Sequence, residues 1–256
     1  MKLVCLDTCD STNSYAALHA GELDDMTLVV SRRQDAGRGQ RGNSWEAAPG
    51  LNFTGTLLFR PAPKPEGITL PQYQFAISEA TALAVADTLR IYDIPPTLKW
   101  ANDVYAGNKK ICGILIEHTI LGSDISCSRI GIGVNVNQKV FESDAPNPTS
   151  IALETGKTVP LTGFIPRLYE NLERRLRAIG DAKGDEARRQ HDEYRSLLWR
   201  ADGEQHYFKL RNGNSTPFLA TIIDVLPEGP IVLRLDDGTQ QTYYFREIEF
   251  ILHKEQ

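Results

Sequence analysis

Apolar residues alternate between short runs and helical spacing as far as Trp199; beyond it only short runs remain. Leu3–Leu6 predicts a short strand. Ser11, Thr12 and Asn13 supply helix-capping side chains, and Tyr15, Ala16, Leu18 and His19 carry a helix toward Gly21. Thr27–Ser31 (TLVVS) predicts a buried strand, and Leu51–Phe59 alternates before turning continuously apolar, as a sheet strand does. Pro61, Pro63 and Pro65 mark a surface loop. From Gln72 to Tyr92, apolar residues such as Phe75, Ala76, Leu83, Ala86 and Leu89 recur at helical spacing, and Pro95-Pro96 closes that helix. Leu98–Trp100 and Val104–Tyr105 are short strands, and Gly107-Asn108 is a hairpin turn. Ile111–Ile120 and Ile125–Val136 are longer strands around the turn LGSD. Thr149–Glu154 is a short helix capped by Thr149 or Ser150. Phe164–Ile179 and Glu186–Trp199 are amphipathic helices separated by Gly180 and Gly184.

Four further strands follow: His206–Leu210, Thr216–Val225, Pro230–Leu235 and Thr239–Phe245. Turns of the NGN, PEG and DDG type join them, which predicts a small β barrel. The domain boundary falls near Arg200–Gly203, giving units of 1–200 and 201–256. Antiparallel hairpins mixed with helices make the first unit α+β rather than a regular βαβ alternation.

Composition narrows the function. The chain has 256 residues, 41% hydrophobic and 24% charged, enough for a folded core. Its net charge of −5 shows no basic excess, so nucleic acid is not an expected partner. No apolar run has the length of a signal peptide or a membrane span, so a cytoplasmic protein with no membrane partner is expected. Cys5, Cys9, Cys112 and Cys127 fit no metal spacing and read as reduced thiols, Cys5 at the end of the first strand and Cys9 beyond it. The five histidines form no zinc pattern.

Two stretches carry chemistry. In QDAGRGQRGNSW (Gln34–Trp45), Gly37, Gly39 and Gly42 spell G-x-G-x-x-G. A dinucleotide fingerprint needs a helix immediately after the loop, to receive the pyrophosphate on its amino terminus. Here a polar segment ending in Pro49-Gly50 leads to another strand, and no acid follows at the distance that would hold a ribose. The glycines still permit close backbone approach and an anion-binding nest, and Arg38 and Arg41 add forked donors. Trp45 offers a face for a flat heterocycle. By itself the loop also fits a solvated turn.

The second stretch is LKWANDVYAGNKKICGILIE (Leu98–Glu117), where Lys99, Asn102, Asp103, Lys109 and Lys110 crowd an otherwise apolar hairpin. Lys110 enters a strand continued by Ile111, Ile114, Leu115 and Ile116; it is either an edge gatekeeper or a cation aimed into a pocket. Gly113 hints at close backbone approach by a ligand. Asp103 could bind magnesium, orient an amine, or simply form a turn.

Together these stretches resemble the biotin protein ligases, which carry a glycine-arginine loop ending in tryptophan and a K-W-P-N-D hairpin followed by K-x-x-G-I-L-x-E. The resemblance begins at Asp10-Ser11-Thr12-Asn13, continues through Gly131-Ile132-Gly133-Val134-Asn135-Val136-Asn137 and reaches the carboxy terminus. It implies a mixed, largely antiparallel sheet with flanking helices, of the class II synthetase type, followed by an SH3-like barrel. It implies a ligase that makes biotinyl-5′-adenylate from biotin and ATP with Mg2+, then passes biotin to a lysine of a biotin carboxyl carrier protein. Lys110 and Arg38 would be the cations at the carboxylate and phosphate, and Asp103 would assist the incoming lysine or the metal. Ser11, Thr12, Asn13, Gln34, Gly37, Arg38, Lys110, Gly113 and Leu115 would hold biotin. Arg38, Gln40, Arg41, Trp45, Asn102, Lys110 and Asn135 would hold ATP and the adenylate.

The family loop often reads G-R-G-R-x-G-R; Gln40 and Asn43 stand here in place of two arginines, so retention of the adenylate would rest more on Arg41 or on loop ordering. Ala101 replaces the proline of K-W-P-N-D, a change expected to relax the turn only slightly. Longer relatives add an amino-terminal winged helix; this sequence opens at the catalytic domain, so no repressor role is expected. The front sheet could offer an edge for a homodimer. The alternatives are a lipoate or octanoate ligase or transferase on the same fold, and a binding module without activity, against which Arg38, Lys110 and Trp45 argue.

Overall fold

The computed structural model describes residues 1–39, 43–143, 145–181, 183–211 and 216–252. Seven strands form the first sheet: β1 (Lys2–Cys9), β2 (Thr27–Gln34), β3 (Phe53–Phe59), β4 (Pro96–Lys99), β5 (Asp103–Ala106), β6 (Lys109–Leu121) and β7 (Asp124–Val134). Their order is β1-β2-β3-β7-β6-β5-β4. β1 and β2 are parallel and the other neighbours antiparallel, so the sheet is mixed and largely antiparallel, as expected.

The pleat gives this sheet two unlike faces. One carries Phe53, Leu57, Cys112, Ile114, Ile130, Ile132 and Val134, all buried, and receives helix α2 (Leu70–Arg90). Thr69 and Gln72 form a reciprocal capping box at the start of α2, with Pro71 in its first turn, where a missing N–H costs nothing. Helices α4 (Leu161–Ala178) and α5 (Asp185–Ser196) pack on α2. The other face is covered in part by α1 (Thr12–Leu18). Helix α3 (Ile151–Thr155) is a single turn capped by Ser150, whose Oγ accepts from the Leu153 N–H.

Some sequence expectations shift. Cys5 and Cys9 both lie within β1, because the parallel ladder runs on to Cys9 opposite Gln34; all four thiols are free. Helix α5 stops at Ser196 rather than Trp199. The Leu197 carbonyl and the Trp199 N–H are instead bonded to Leu98 of β4. Ser11 occupies the cap position of α1 without a side-chain capping bond, and Thr12 and Asn13 belong to the helix itself. The Trp100–Ala101 peptide between β4 and β5 is cis.

The carboxy-terminal strands are β8 (His206–Leu210), β9 (Phe218–Val225), β10 (Ile231–Leu235), β11 (Gln240–Tyr243) and β12 (Ile248–Phe250). They form an antiparallel sheet in the order β11-β10-β9-β8-β12 around Phe208, Ala220, Ile222, Ile231, Leu233 and Ile248. This unit leans on the β4–β5 hairpin. The Trp100 indole N–H donates to the Gly229 carbonyl at 2.8 Å, and Trp100 meets Phe245 edge-on. Among the described residues no helix is long and apolar enough to cross a membrane.

Candidate active site

Strand register puts the unusual residues of the sequence into one row. Lys99, Asp103, Gly113, Gly133 and Thr54 are successive cross-strand partners over β4, β5, β6, β7 and β3. The next row on the same face holds Leu115, Gly131 and Thr56, and the next Glu117, Arg129 and Leu58. Three glycines in adjoining rows strip the side chains from the middle of the sheet. The result is the floor of a cavity of about 560 Å³, within the range of small-molecule sites.

Two groups use that clearance. A Cβ at Gly133 would fall inside the Trp45 indole, and one at Gly131 would fall on the Asn13 amide. Trp45 therefore lies against Gly133 and Gly113. Its indole nitrogen is buried without a hydrogen-bond partner among the described residues. The Lys110 ammonium stands 5.7 Å from the Trp45 ring. The loop that delivers Trp45 is a narrow hairpin: the Trp45 N–H donates to the Gly37 carbonyl at 2.9 Å and the Gly39 N–H to the Asn43 carbonyl at 2.7 Å. At Gly37 a Cβ would sit 2.7 Å from the Trp45 carbonyl oxygen, so Gly37 serves leg-to-leg packing. After Trp45 the chain continues without a helix to β3, as the rejection of a dinucleotide fingerprint requires.

At one end of the cavity, α1 and β2 present polar groups. Gln34 Oε1 accepts from the Thr12 backbone N–H at 2.8 Å and from the Thr12 hydroxyl at 3.2 Å. The Asn13 amide donates toward the Leu115 carbonyl and Glu117, both at 3.3 Å. The Thr56 hydroxyl lies 2.8 Å from the Thr12 hydroxyl and 2.5 Å from Asn13 Oδ1, fixing the Asn13 orientation from below. Thr12, Asn13 and Thr56 are buried, and these hydrogen bonds fix the orientation of the group.

The charged groups lie beside this end and beyond it. Asp103 Oδ1 is 2.8 Å from Lys110 Nζ, and its Oδ2 is 3.6 Å from Lys99 Nζ. Burial pulls the Lys99 ammonium below its usual range, against the raising effect of Asp103. Arg38 reaches back to Glu117 at 3.1 Å, and Arg129 approaches the same carboxylate. Asn102 binds β6 from the side, its Nδ2 on the Ile114 carbonyl at 2.8 Å.

Of the residues expected at the site, Ser11, Thr12, Asn13, Gln34, Arg38, Trp45, Asn102, Asp103, Lys110, Gly113 and Leu115 line this one cavity. Gly37 shapes the loop without being among the lining residues. Asn135 is also outside the lining; it is buried and its amide N–H is spent on the Thr149 carbonyl at 2.9 Å. Gln40 and Arg41 lie outside the described residues. The structure adds Lys99, Thr54, Gly131, Gly133, Lys209, Arg211 and Phe250 to the lining. Glycines at alternate positions of a strand (Gly131, Gly133) were the sequence signal for the floor; the residues from the second sheet had none.

Known proteins point the same way. The sequence model of the biotin/lipoate A/B protein ligase family matches residues 5–135. The biotin–[acetyl-CoA-carboxylase] ligase of Paracoccus denitrificans is 37% identical over 166 residues, 62% of this chain and 66% of that protein. The bifunctional ligase/repressor BirA of Salmonella typhimurium is 31% identical over 173 residues, 67% of this chain and 52% of that protein. The chain thus spans about half to two thirds of the length of these relatives. The biotin protein ligase from Aquifex aeolicus in complex with biotin and ATP superposes with a TM-score of 0.76 over 97% of both chains at 23% identity, which establishes a shared fold. With the family model matching just over half its length and the motif residues gathered in one cavity, the chain belongs to the biotin/lipoate A/B protein ligase family.

Proposed function

We propose that the protein is an ATP-dependent ligase that activates biotin as biotinyl-5′-adenylate and transfers it to a lysine of a biotin carboxyl carrier domain. The observation that carries this reading is the Lys110–Asp103 pair set beside a glycine floor, with Trp45 on that floor and a polar end formed by Thr12, Asn13 and Gln34. The sequence likeness to the Paracoccus biotin–[acetyl-CoA-carboxylase] ligase supports the choice of acid and acceptor.

The first step joins two anions. The biotin carboxylate attacks the α-phosphorus of ATP, a P–O bond to biotin forms, and the α–β bridging bond breaks to release pyrophosphate. Repulsion between carboxylate and phosphate is the main obstacle, and fixed cations in a partly dry cavity lower it. Lys110 supplies one such cation, held by Asp103. Arg38 supplies the other once it leaves Glu117, a move made easy by its half-exposed position. The ring end of biotin meets the Thr12–Asn13–Gln34 group, where donors and acceptors stand in pairs. Adenine stacks on the Trp45 indole. In the second step the carrier lysine's neutral amine attacks the acyl carbon, the acyl–phosphate C–O bond breaks, AMP leaves and the nitrogen's proton passes to water. Asp103, facing the cavity between two lysines, orients that amine.

Magnesium would accompany the triphosphate. The triphosphate and water would supply most of its ligands; among the described residues no group of three or more His, Cys, Asp or Glu gathers to hold a metal, and both Asp103 oxygens face lysines.

The test is transfer itself. Incubation with biotin, MgATP and a biotin carboxyl carrier domain should add one biotinyl group, the mass of biotin less water, to one lysine of that domain. A carrier that stays unmodified while the protein remains folded would refute the reading.

A further inference from the structure

Arg38 and Lys110, the two cations assigned to the reacting anions, are held at different places along the floor. Lys110 Nζ would stand 3.4 Å from a Cβ at Gly113, over the row of Gly113 and Gly133. Arg38 is drawn instead to Glu117, which sits two rows further along the same face, opposite Arg129. Two rows are roughly 13 Å along an extended strand. The Glu117 carboxylate is at the Asn13 end of the cavity, where the Asn13 amide also reaches it. A guanidinium kept there is out of register with the Lys110 ammonium, and the two cannot serve one carboxylate until it moves.

Glu117 is approached from three sides. Its Oε1 takes Arg38 Nη2 at 3.1 Å; its Oε2 takes the Asn13 amide at 3.3 Å and faces Arg129 Nε at 3.9 Å. Exposure decides which cation is the permanent one. The Arg38 side chain is 50% exposed and comes from the glycine loop, so leaving the carboxylate costs it little. The Arg129 side chain is 17% exposed on β7, with its Nη1 on the Thr119 hydroxyl and its Nε buried without a hydrogen-bond partner among the described residues. A largely buried guanidinium depends on the one carboxylate beside it. Arg129 therefore keeps Glu117 compensated whether or not Arg38 is present.

We propose that Glu117 is a positioning residue that holds Arg38 at the Asn13 end of the cavity and competes for it with the substrate carboxylate. The identity of that carboxylate, biotin's, rests on the ligase reading above. When the acid enters, Arg38 exchanges one carboxylate for another and Arg129 balances the charge left behind. The exchange is close to even, because a half-exposed ion pair is given up for a similar one. It also selects. A ligand that brings an anion recruits the arginine, whereas a neutral ligand of the same shape leaves it on Glu117.

Calorimetry on the full chain with biotin and with its alcohol analogue, in which CH2OH replaces the carboxylate, tests this. Glu117→Gln should tighten biotin about threefold, the scale of one half-exposed ion pair, and leave the alcohol unchanged. Combined with Arg38→Ala, Glu117→Gln should no longer alter biotin binding. Glu117→Asp keeps a charge for Arg129 but draws it back from Arg38; it should act in the same direction, and it remains informative if Glu117→Gln fails to fold. Equal shifts for acid and alcohol, or a shift that survives Arg38→Ala, would mean that Glu117 only supports Asn13, and would overturn the assignment. A second measurement needs no ligand. Trypsin cleavage after Arg38, mapped by mass spectrometry, should be severalfold faster in Glu117→Gln than in the parent, because the side chain is released. Equal rates would overturn the hold on Arg38 whatever the protein binds. Faster cleavage in the variant, with a parent that binds no biotin, would uphold that hold and overturn the ligase reading.

Discussion

Lys110 owes its place to Asp103: the carboxylate at 2.8 Å lets an ammonium stand at the edge of a strand whose next residues, Ile111 and Cys112, are fully buried. If that ammonium bridges carboxylate and phosphate, Lys110→Ala should lower biotin-dependent adenylate formation by about 100- to 1000-fold, the usual cost of losing one positioned donor. Its circular dichroism should stay unchanged, and turnover within tenfold of the parent would remove Lys110 from that role. Gly133→Ala tests the floor. The added methyl group must displace the Trp45 indole, so the KM for ATP should rise at least tenfold while the fold persists; an unchanged KM would separate Trp45 from the nucleotide. At this scale the sequence was informative wherever a residue was odd for its context. A lysine and a glycine in an apolar strand, or arginines among glycines, pointed to the cavity. Asn135 looked equally suited to ligand binding; it is buried outside the cavity lining, with its amide N–H on the Thr149 carbonyl, a partner the spacing did not reveal, and its Oδ1 without a partner among the described residues.

Elements were legible where periodicity was long. Helix α2 and strands β6 and β7 matched their apolar patterns, because burial on one face must repeat with the backbone. Ends were less legible: α5 gives up its last predicted turn to backbone bonds with Leu98, and the three-residue β12 is too short to show a period. Between α2 and α5 lies a pair that the pattern left hidden. His191 Nδ1 is 2.7 Å from Glu79 Oε1, with Tyr194, Asp192, Arg195 and Asp224 around them. Burial pushes the Glu79 carboxyl up to about 7, and Glu79 in turn raises His191. Both groups bind protons more tightly in the folded chain. Their contribution is complete below the ordinary carboxyl value of 4.5 and fades as pH climbs through about 7. The melting temperature of the parent should therefore fall more between pH 5 and pH 8 than that of Glu79→Gln. Parallel melting curves across that interval would show that the pair does not couple folding to pH.

On the scale of the whole molecule, the cavity belongs to two sheets. Its floor is a central row of the first, its end wall an edge of the second, and the Trp100–Gly229 hydrogen bond ties them. The two motif clusters were readable because each is continuous in the chain. Arg211 and Phe250 were not, since only folding brings them to Lys99. Biotin, the proposed substrate, is to be told apart by the cavity from lipoate, which the family's description also includes, and the polar end at Thr12, Asn13 and Gln34 suits a ureido ring rather than an aliphatic chain. Pyrophosphate–ATP exchange in magnesium buffer, with biotin, lipoate, octanoate or no added acid, tests that claim most directly. The account predicts exchange with biotin alone. Exchange driven by lipoate or octanoate, or none with any acid from folded protein, would contradict it.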